Sequence, residues 1–257
     1  MTNANARRNG QDVFGDVIAV YAFIRRRRAL RWPLAAICGL LLGTVALVAP
    51  LRWIDPVTTT PILMKRLAGE AVDWRFTGLE AIGPTLRRAA LVSEDARFCS
   101  HRGVDFGEAA AAFRDWRAGD GLRGASTITM QTARSLFLPQ SRTMLRKAAE
   151  LWLTVFIEAL WPKARILEIY LNVAEWGPNL YGVEAAAQTA FNRSAANIDR
   201  RRAALLITTL PNPKARSPGR PSAIHRRLAG TVAARMRVAD WPTIGRCLLS
   251  ENPHRPG

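Results

Sequence analysis

The chain has 257 residues, of which 49% are hydrophobic. This composition argues against a disordered chain and suffices for one membrane span and one globular domain. The formal net charge of +17 at pH 7 comes largely from arginine. It predicts a polyanionic partner, namely a nucleic acid, an anionic lipid surface or a phosphate-bearing substrate.

The first predicted element is a membrane-spanning helix. Residues 32–51 read WPLAAICGLLLGTVALVAPL and hold no charged side chain, and about 20 such residues cross a ~30 Å hydrocarbon core. Arginines, including the run at 25–28, precede this segment, whereas Arg52 and Asp55 follow it. The positive-inside rule therefore predicts a cytoplasmic N-terminus and an exported remainder. A cleaved signal peptide is the alternative, but its apolar region usually has only about 7 to 15 residues.

This topology divides the chain into a basic cytoplasmic arm (1–31), a transmembrane helix (32–52) and an extracytoplasmic domain (53–257). It predicts a single-pass protein of the inner membrane with its domain in the periplasm. An exported domain rarely meets nucleic acid, so nucleic acid is not predicted as a partner. A lipid-linked or cell-wall substrate is favoured instead.

The exported part is predicted to be all-α, because apolar residues recur at spacings of three and four from about Val57 onward. Asp105 followed by Glu108 is typical of a helix start. A long helix is predicted at about 143–161, and the last helix at about 222–238. The predicted packing stripe of the long helix contains Leu145, Ala148, Trp152, Val155, Phe156 and Ala159.

The three cysteines predict no zinc site. Cys38 lies in the span, and neither Cys99 nor Cys247 has a second cysteine at metal-ligand spacing. A Cys99–Cys247 disulfide is conceivable in an oxidising compartment.

The stretch SEDARFCSHRGVD, residues 93–105, gathers several ionisable groups. Glu94 and Asp95 fall near the C-terminal end of a predicted helix, where the helix dipole raises the pKa of a carboxyl unless a cation compensates. His101 and Arg102 could compensate. Glu94 is therefore a candidate proton acceptor, and an ordinary ion-pair cluster at a helix end is the alternative.

A second carboxylate, Glu150, follows Arg146 and Lys147 at spacings that place all three on one helical face. A glutamate beside two cations is expected to stay ionised, whereas Glu94 is expected to be shifted upward in pKa. A difference in pKa between two carboxyl groups suits acid/base chemistry on sugars. A solvated surface salt bridge is the alternative for Glu150.

Between these two regions lies GASTITMQTARS, residues 124–135. The hydroxyls of Ser126, Thr127 and Thr129 stand at a predicted helix start, where free backbone NH groups attract anions. Arg134 continues the same helix, and Arg142 follows after the turn. These parts suit a phosphate or pyrophosphate site, and a plain serine or threonine N-cap is the alternative.

Four motifs in this order closely resemble those of the peptidoglycan glycosyltransferases, glycosyltransferase family 51. The family pattern is E-D-x-x-F-x-x-H-x-G-x-D, then G-x-S-T-x-T-Q-Q, then R-K-x-x-E, then K-x-x-I-L-E-x-Y-L-N. The resemblance spans about residues 77–213. The matching residues are Glu94, Asp95, Phe98, His101, Gly103, Asp105, Gly124, Ser126, Thr127, Thr129, Gln131, Arg146, Lys147, Glu150, Lys163, Ile166, Leu167, Glu168, Tyr170, Leu171 and Asn172.

The resemblance implies a lysozyme-like helical domain that polymerises lipid II into linear glycan strands with inversion and releases undecaprenyl pyrophosphate. It implies Glu94 and Glu150 as catalytic residues. The substrate-binding residues that it implies are Asp95, Phe98, His101, Ser126, Thr127, Thr129, Gln131, Arg134, Arg142, Arg146, Lys147 and Glu168.

The resemblance leaves open a divalent cation, Mg²⁺ or Mn²⁺, as cofactor. It assigns no metal ligand and implies no organic cofactor. The implied partners are lipid II, the growing glycan chain, the membrane, and the cell-division or elongation machinery.

Two departures from the pattern are Met130, where the family has glutamine, and Arg134, where a lysine usually follows. An arginine keeps the charge but binds a phosphate with a different geometry. No S-x-x-K, S-D-N or K-T-G motif occurs, so no transpeptidase activity is predicted.

Two other functions compete with glycan synthesis. A lytic wall hydrolase also suits an all-α domain with two functional carboxylates. The non-enzymatic alternative is a membrane-tethered scaffold that binds wall or lipid through its arginines. A tethered synthase could also use Phe113, Trp116 and Leu122 as an apolar lip that dips into the membrane, and core packing is the alternative for Phe113 and Trp116.

Overall fold

A computed structural model describes residues 31–119, 126–141 and 143–250, apart from the side chains of Trp116, Leu249 and Ser250. The chain divides into two compact units between Leu47 and Val48. Helix α1 (Arg31–Arg52), whose final turn is a 3-10 helix, is by length and composition able to cross a membrane. The predicted span lies within this helix.

The second unit is predominantly helical, which confirms the predicted fold class. Short 3-10 helices occur at Leu79–Ala81 and Ala195–Asn197. The α-helices are α2 (Thr60–Leu67), α3 (Pro84–Glu94), α4 (Phe106–Arg117), α5 (Ile128–Phe137), α6 (Met144–Leu160), α7 (Lys163–Val173), α8 (Val183–Phe191), α9 (Arg200–Ile207), α10 (Ala223–Val238), α11 (Trp241–Ile244) and α12 (Arg246–Ser250).

Polar side chains cap the helices that carry the motifs. Asp105 Oδ1 accepts a hydrogen bond from the Glu108 backbone NH at 3.0 Å, so α4 starts where the sequence predicts. Thr127 and Thr143 cap α5 and α6, and each accepts from the backbone NH three residues later at 3.2 Å. The last helix was predicted to end near Val238, but α11 and α12 follow it.

A small three-stranded sheet interrupts the helices. Its strands are β1 (Asp73–Trp74), β2 (Glu175–Gly177) and β3 (Leu180–Tyr181), in the order β1-β3-β2. Strand β3 pairs in parallel with β1 and antiparallel with β2, where Glu175 lies opposite Tyr181. These strands are too short to show an alternating pattern, so the sequence did not predict them.

The packing stripe predicted on α6 is wrong for most of its residues, although Phe156 packs against the core. Leu145 is 81% exposed and Val155 is 62% exposed, so they do not join the core. The buried side chains of α6 are instead Glu150, Leu153, Thr154 and Ile157. Helical periodicity locates an apolar face, but only the neighbouring elements decide which face is covered.

Helix α7 lies at the centre of the domain, because residues 164–173 are all buried. Three of them, Arg165, Glu168 and Asn172, carry charged or amide side chains, and each has partners. Arg165 Nη1 donates to Glu168 Oε2 at 2.6 Å. Asn172 exchanges two hydrogen bonds of 2.8 Å with the backbone of Thr77, and this fixes the segment that leads into α3. Burial of these groups is tolerated because they are hydrogen-bonded.

Candidate active site

Glu94 is the last residue of α3, and its side chain is half-buried. Ser93 Oγ donates to Glu94 Oε1 at 3.0 Å, and Gln131 Nε2 donates to Oε2 at 3.4 Å. Burial raises the pKa of Glu94 above its ordinary value. The two hydrogen bonds and the charge of Arg134 oppose this rise, and the charge of Asp95 adds to it. A carboxylate with a raised pKa is a stronger base, so Glu94 is suited to accept a proton.

Gln131 links Glu94 to the buried Tyr170. Tyr170 Oη donates to Gln131 Oε1 at 3.4 Å, and Gln131 Nε2 also lies 3.5 Å from the carbonyl oxygen of Ser126. Burial and the negative charge of Glu94 raise the pKa of Tyr170, so its hydroxyl stays protonated and donates. These contacts hold the NH₂ group of Gln131 toward the Glu94 carboxylate.

Asp95 joins the end of α3 to the start of α5. The His101 ring Nε2 lies 2.9 Å from Asp95 Oδ1, and the Ile128 backbone NH donates to Oδ2 at 3.0 Å. Because the Gly103 NH donates to His101 Nδ1 at 3.2 Å, Nε2 carries the ring proton and donates to Asp95. Asp95 and His101 therefore position the elements on either side of Glu94.

Gly103 packs tightly against α6. Its φ of +88° lies in the left-handed region that favours glycine, and a Cβ there would come within 2.7 Å of Thr154 Cγ2. Thr127 Oγ1 donates to the Gly103 carbonyl at 2.5 Å. The N-cap of α5 is thereby attached to the loop that follows α3.

Phe98 and Thr129, which were predicted to bind substrate, are enclosed in the protein. Lys163 Nζ lies 4.4 Å from the ring centroid of Phe98. Thr129 Oγ1 donates to the carboxylate of Glu158, which also pairs with Lys163 Nζ at 2.8 Å. These contacts indicate that Phe98 and Thr129 hold the loop and α5 in place.

Glu150 is buried, with 1% of its side chain exposed, and is paired with two cations. Its Oε1 accepts from Lys147 Nζ at 2.6 Å, and its Oε2 accepts from Arg146 Nη1. Lys147 Nζ also donates to Ser126 Oγ at 3.2 Å. The carboxylate therefore fixes the positions of both cations, and the alternative of a solvated surface salt bridge does not describe it.

A cavity of about 510 Å³ lies beside these groups, although neither Glu94 nor Glu150 lines it directly. Glu94 is bonded to Gln131 and Glu150 to Arg146, and both of these partners do line it. Arg134 and Arg146 therefore line one cavity, and each glutamate is bonded to a residue of its lining. A larger cavity of about 940 Å³ contains none of the predicted site residues. Among the residues lining the smaller cavity are Gln131, Arg134, Arg146, Tyr170, Glu175 and Tyr181.

Glu168 and Arg142 stand apart from this set. The side chain of Glu168 is 1% exposed, and its Oε1 accepts from the Leu79 backbone NH at 2.8 Å. Together with its ion pair to Arg165, this contact ties the turn at 79–81 to α7. Glu168 does not line the cavity, so its position favours a structural role over the predicted substrate contact. Arg142 lies outside the described residues.

The residues at the site do not fit a metal held by protein ligands. Within the described ranges, no group of three or more His, Cys, Asp or Glu side chains is arranged to hold an ion. Both carboxylate oxygens of Glu150 are taken by Arg146 and Lys147. Divalent cations such as Mg²⁺ require several free oxygen ligands.

Sequence reasoning missed most of the residues that line the cavity, among them Tyr170, Glu175 and Tyr181. Tyr170 belongs to the fourth motif but reads as an ordinary core residue in a buried helix. Glu175 and Tyr181 lie in strands of three and two residues. The turn signal GPN at 177–179 could have indicated the hairpin, although it would not have indicated the cavity.

Cys99 and Cys247 form a disulfide with a Cα–Cα distance of 5.4 Å. Cys99 lies in the loop after α3, two residues before His101, and Cys247 lies in α12. The pairing that was conceivable from the sequence is therefore present. It ties the loop beside Glu94 to a helix near the end of the chain.

A lysozyme-like helical domain with a half-buried glutamate beside a cavity lined by Arg134 and Arg146 is typical of a glycan-processing enzyme. Residues 62–237 match the family described as Transglycosylase, and the chain belongs to this family.

Several biosynthetic peptidoglycan transglycosylases are similar over nearly their full length. That of Rhodospirillum centenum is 46% identical over 224 residues, which cover 86% of this chain and 96% of the relative. That of Mesorhizobium japonicum is 44% identical over 220 residues, covering 82% and 92% respectively. That of Brucella suis is 43% identical over 220 residues, covering 84% and 97%.

Proposed function

We propose that the protein is a peptidoglycan glycosyltransferase that polymerises lipid II into linear glycan strands and releases undecaprenyl pyrophosphate, without transpeptidase activity. Membership of the transglycosylase family and the names of its relatives support the reaction class. The arrangement of charges at the 510 Å³ cavity supports the substrate, because lipid II joins a sugar acceptor to an anionic leaving group.

In the proposed reaction, Glu94 accepts the proton of the 4-hydroxyl on the acceptor sugar. The hydroxyl oxygen then attacks the anomeric carbon of the donor with inversion, and a new glycosidic bond forms. The bond from that carbon to the pyrophosphate oxygen breaks, and its electron pair leaves with the pyrophosphate. Desolvation of Glu94 favours proton transfer, because it raises the basicity of the carboxylate.

The cations stabilise the leaving group. Arg134 and Arg146 line the cavity. Lys147 and Arg146 both donate hydrogen bonds to the carboxylate of Glu150. Fixed cations aimed at a developing negative charge stabilise a transition state without reorganising. Glu150 is assigned the task of orienting Arg146 and Lys147. Arg142 is proposed as a further cation, and a divalent cation would have to be bound largely by the pyrophosphate itself.

One observation carries this proposal: Arg134 and Arg146 line the same cavity as Gln131, which donates a hydrogen bond to Glu94. The test is polymerisation of lipid II by the full chain in detergent. Glu94→Gln is expected to lower the rate by about 10²–10⁴-fold, the usual contribution of a general base. Glu70→Gln, which removes an exposed carboxylate, is the matched control. Near-normal polymerisation by a folded Glu94→Gln protein would show that another group removes the proton.

Synthesis and cleavage are separated by their products. The proposed function predicts polymer from lipid II and no soluble fragments from purified sacculi, whereas a lytic hydrolase gives the reverse. The cations favour synthesis, because hydrolysis of a glycan releases no pyrophosphate. A scaffold is tested in cells, where normal function of a Glu94→Gln, Glu150→Gln double variant would favour it.

We further propose that α1 anchors the protein in the inner membrane, with a cytoplasmic N-terminus and a periplasmic domain, where division or elongation proteins can recruit it. Large apolar side chains on the domain are exposed, including Phe113 at 54% and Leu145 at 81%. This exposure supports a bilayer-facing lip on α4 and α6. Of the lip predicted from the sequence, Leu122 and the Trp116 side chain lie outside the described residues.

A further inference from the structure

A third cavity, of about 460 Å³, lies where the start of α3 meets α9 and α10. Each of these three helices contributes one arginine to its wall, and no acidic residue lines it. The lining residues are Pro84, Thr85, Arg88, Arg200, Met236, Arg237 and Trp241. We call this cavity the arginine pocket. Three positive charges around one cavity raise its electrostatic potential, which attracts an anion.

Arg88 is the most firmly held of the three arginines. Its side chain is half-buried, and its Nη2 donates to the carbonyl oxygen of Ala239 at 2.5 Å. Its guanidinium carbon lies 5.9 Å from the centroid of the Trp241 ring. Because these contacts already order the Arg88 side chain, little conformational entropy is lost when an anion binds to it.

The acidic residues that adjoin the arginine pocket in sequence have other partners. Asp199 caps α9 and pairs with Arg202. Asp240 Oδ2 accepts a hydrogen bond from Thr243 Oγ1 at 2.6 Å. In the part of the chain that the structure describes, no carboxylate forms a salt bridge with any of the three arginines of the pocket. Their charge is therefore left for a ligand to compensate.

The charge and the lining of the pocket indicate the class of anion. A guanidinium group matches the oxygen atoms of a phosphate in a bidentate geometry. A phosphate monoester carries a charge of about −1.5 to −2 at pH 7, which suits three arginines better than the single charge of a carboxylate. The volume of about 460 Å³ also admits the organic group that carries the phosphate. Trp241, Met236 and Pro84 give this group apolar surface to contact.

The arginine pocket is separate from the 510 Å³ cavity, because the two share no lining residue. Thr85 and Arg88 precede Glu94 on α3 by about 14 and 9 Å along the helix axis. A ligand in the pocket therefore contacts α3, α9 and α10 without occupying the site of the proposed reaction.

We propose that Arg88, Arg200 and Arg237 bind the phosphate of a phosphate monoester, with Trp241 beside the organic group that carries it. This site goes beyond the proposed function and does not depend on it. The bound ligand connects three helices of the folded domain, so it stabilises the folded state.

The test is thermal unfolding of the full chain in detergent, without lipid II, in glycerol 3-phosphate or in sodium chloride of equal ionic strength. At about 10 mM glycerol 3-phosphate, a dissociation constant of about 1 mM raises the melting temperature by roughly 3–5 °C. An Arg200→Gln, Arg237→Gln double variant is expected to lose most of this shift. Arg201→Gln with Arg235→Gln is the matched control, because it removes two exposed arginines of the same helices that do not line the pocket. This control is expected to keep the shift.

Shifts of equal size in the two double variants would overturn the proposal, because the phosphate would then bind elsewhere or bind to net charge alone. The absence of a shift in the parent protein, or an equal shift with acetate, would also overturn it.

Dihexanoyl phosphatidic acid distinguishes a lipid source of the monoester from a soluble one. A larger shift with this lipid than with glycerol 3-phosphate at equal concentration, lost in the Arg200→Gln, Arg237→Gln variant, supports a lipid headgroup as the ligand. A larger shift with glycerol 3-phosphate, lost in the same variant, supports a soluble phosphate monoester.

Discussion

Loss of the Cys99–Cys247 disulfide is expected to destabilise the domain strongly. The two cysteines are 148 positions apart, so the bond closes most of the domain into one loop. In the chain-entropy treatment, closing a loop of this length removes about 17 cal/mol/K from the unfolded state, or about 5 kcal/mol at 25 °C. Measured values for natural disulfides are often lower, and a loss of about 2–5 kcal/mol is expected.

This loss is large compared with the ~5–15 kcal/mol that stabilises a typical domain. For a domain of this size, 1 kcal/mol changes the melting temperature by roughly 2–4 °C, so the Cys99→Ser, Cys247→Ser double variant should melt roughly 4–20 °C lower. The bond also orders the loop that holds His101, to which Cys99 is close in sequence. Polymerisation is therefore expected to decline at temperatures below the melting point.

The measurement is thermal unfolding of the full chain in detergent micelles, with and without a reductant. Cys38→Ser is the matched control, because Cys38 is exposed and unpaired within the described chain, and it should not change the melting temperature. The double variant is best made in this background. The reasoning is refuted if the double variant melts within about 1 °C of its parent, or if thiol titration of the native, unreduced parent finds two free thiols.

Three further perturbations test the site and the packing. The pKa of Glu94 is higher in the folded than in the unfolded protein. Protonated Glu94 therefore favours the folded state when the pH is below the unfolded-state pKa, and this contribution is lost as the pH rises through the folded-state pKa. Glu94→Gln should therefore raise the melting temperature at about pH 7.5 and have little effect at about pH 4, and an equal effect at both pH values would contradict the raised pKa. Asn172→Ala leaves the backbone NH and carbonyl of Thr77 without their partner. It should lower the free energy of unfolding, measured by thermal denaturation, by about 2–4 kcal/mol. A loss below about 0.5 kcal/mol would show that water replaces the amide. Phe113→Ser with Leu145→Ser should lower polymerisation several-fold in liposomes and not in detergent, whereas equal rates in liposomes would exclude the lip.

The two departures from the family pattern fall in different surroundings. Met130 is 4% exposed, so an apolar side chain suits its site on α5. Arg134 lines the cavity, and its positive charge lowers the pKa of Glu94 against the effect of burial. The arginine therefore influences the basicity of Glu94 and is also placed to contact a phosphate.

Local patterns along the chain determined much of what was predicted. The uncharged stretch in α1 predicts a membrane span because its length matches the thickness of the bilayer. The helix starts at Asp105 and Thr143 are predictable because these side chains accept hydrogen bonds from nearby backbone NH groups. The ordered motifs indicated the family. All of these signals depend on residues close together in sequence, and the sequence therefore contains them directly.

Only the tertiary structure decided which groups meet across long sequence separations. It buried Glu150 and left Leu145 exposed, although the periodicity of α6 predicted that Leu145 packs in the core. It enclosed Glu168 with Arg165, and it brought Glu175 and Tyr181 into the cavity that holds Arg134. The physical reason is that burial, pKa shifts and ligand contacts depend on which distant elements pack together, and the spacing of residues within one helix does not specify its neighbours.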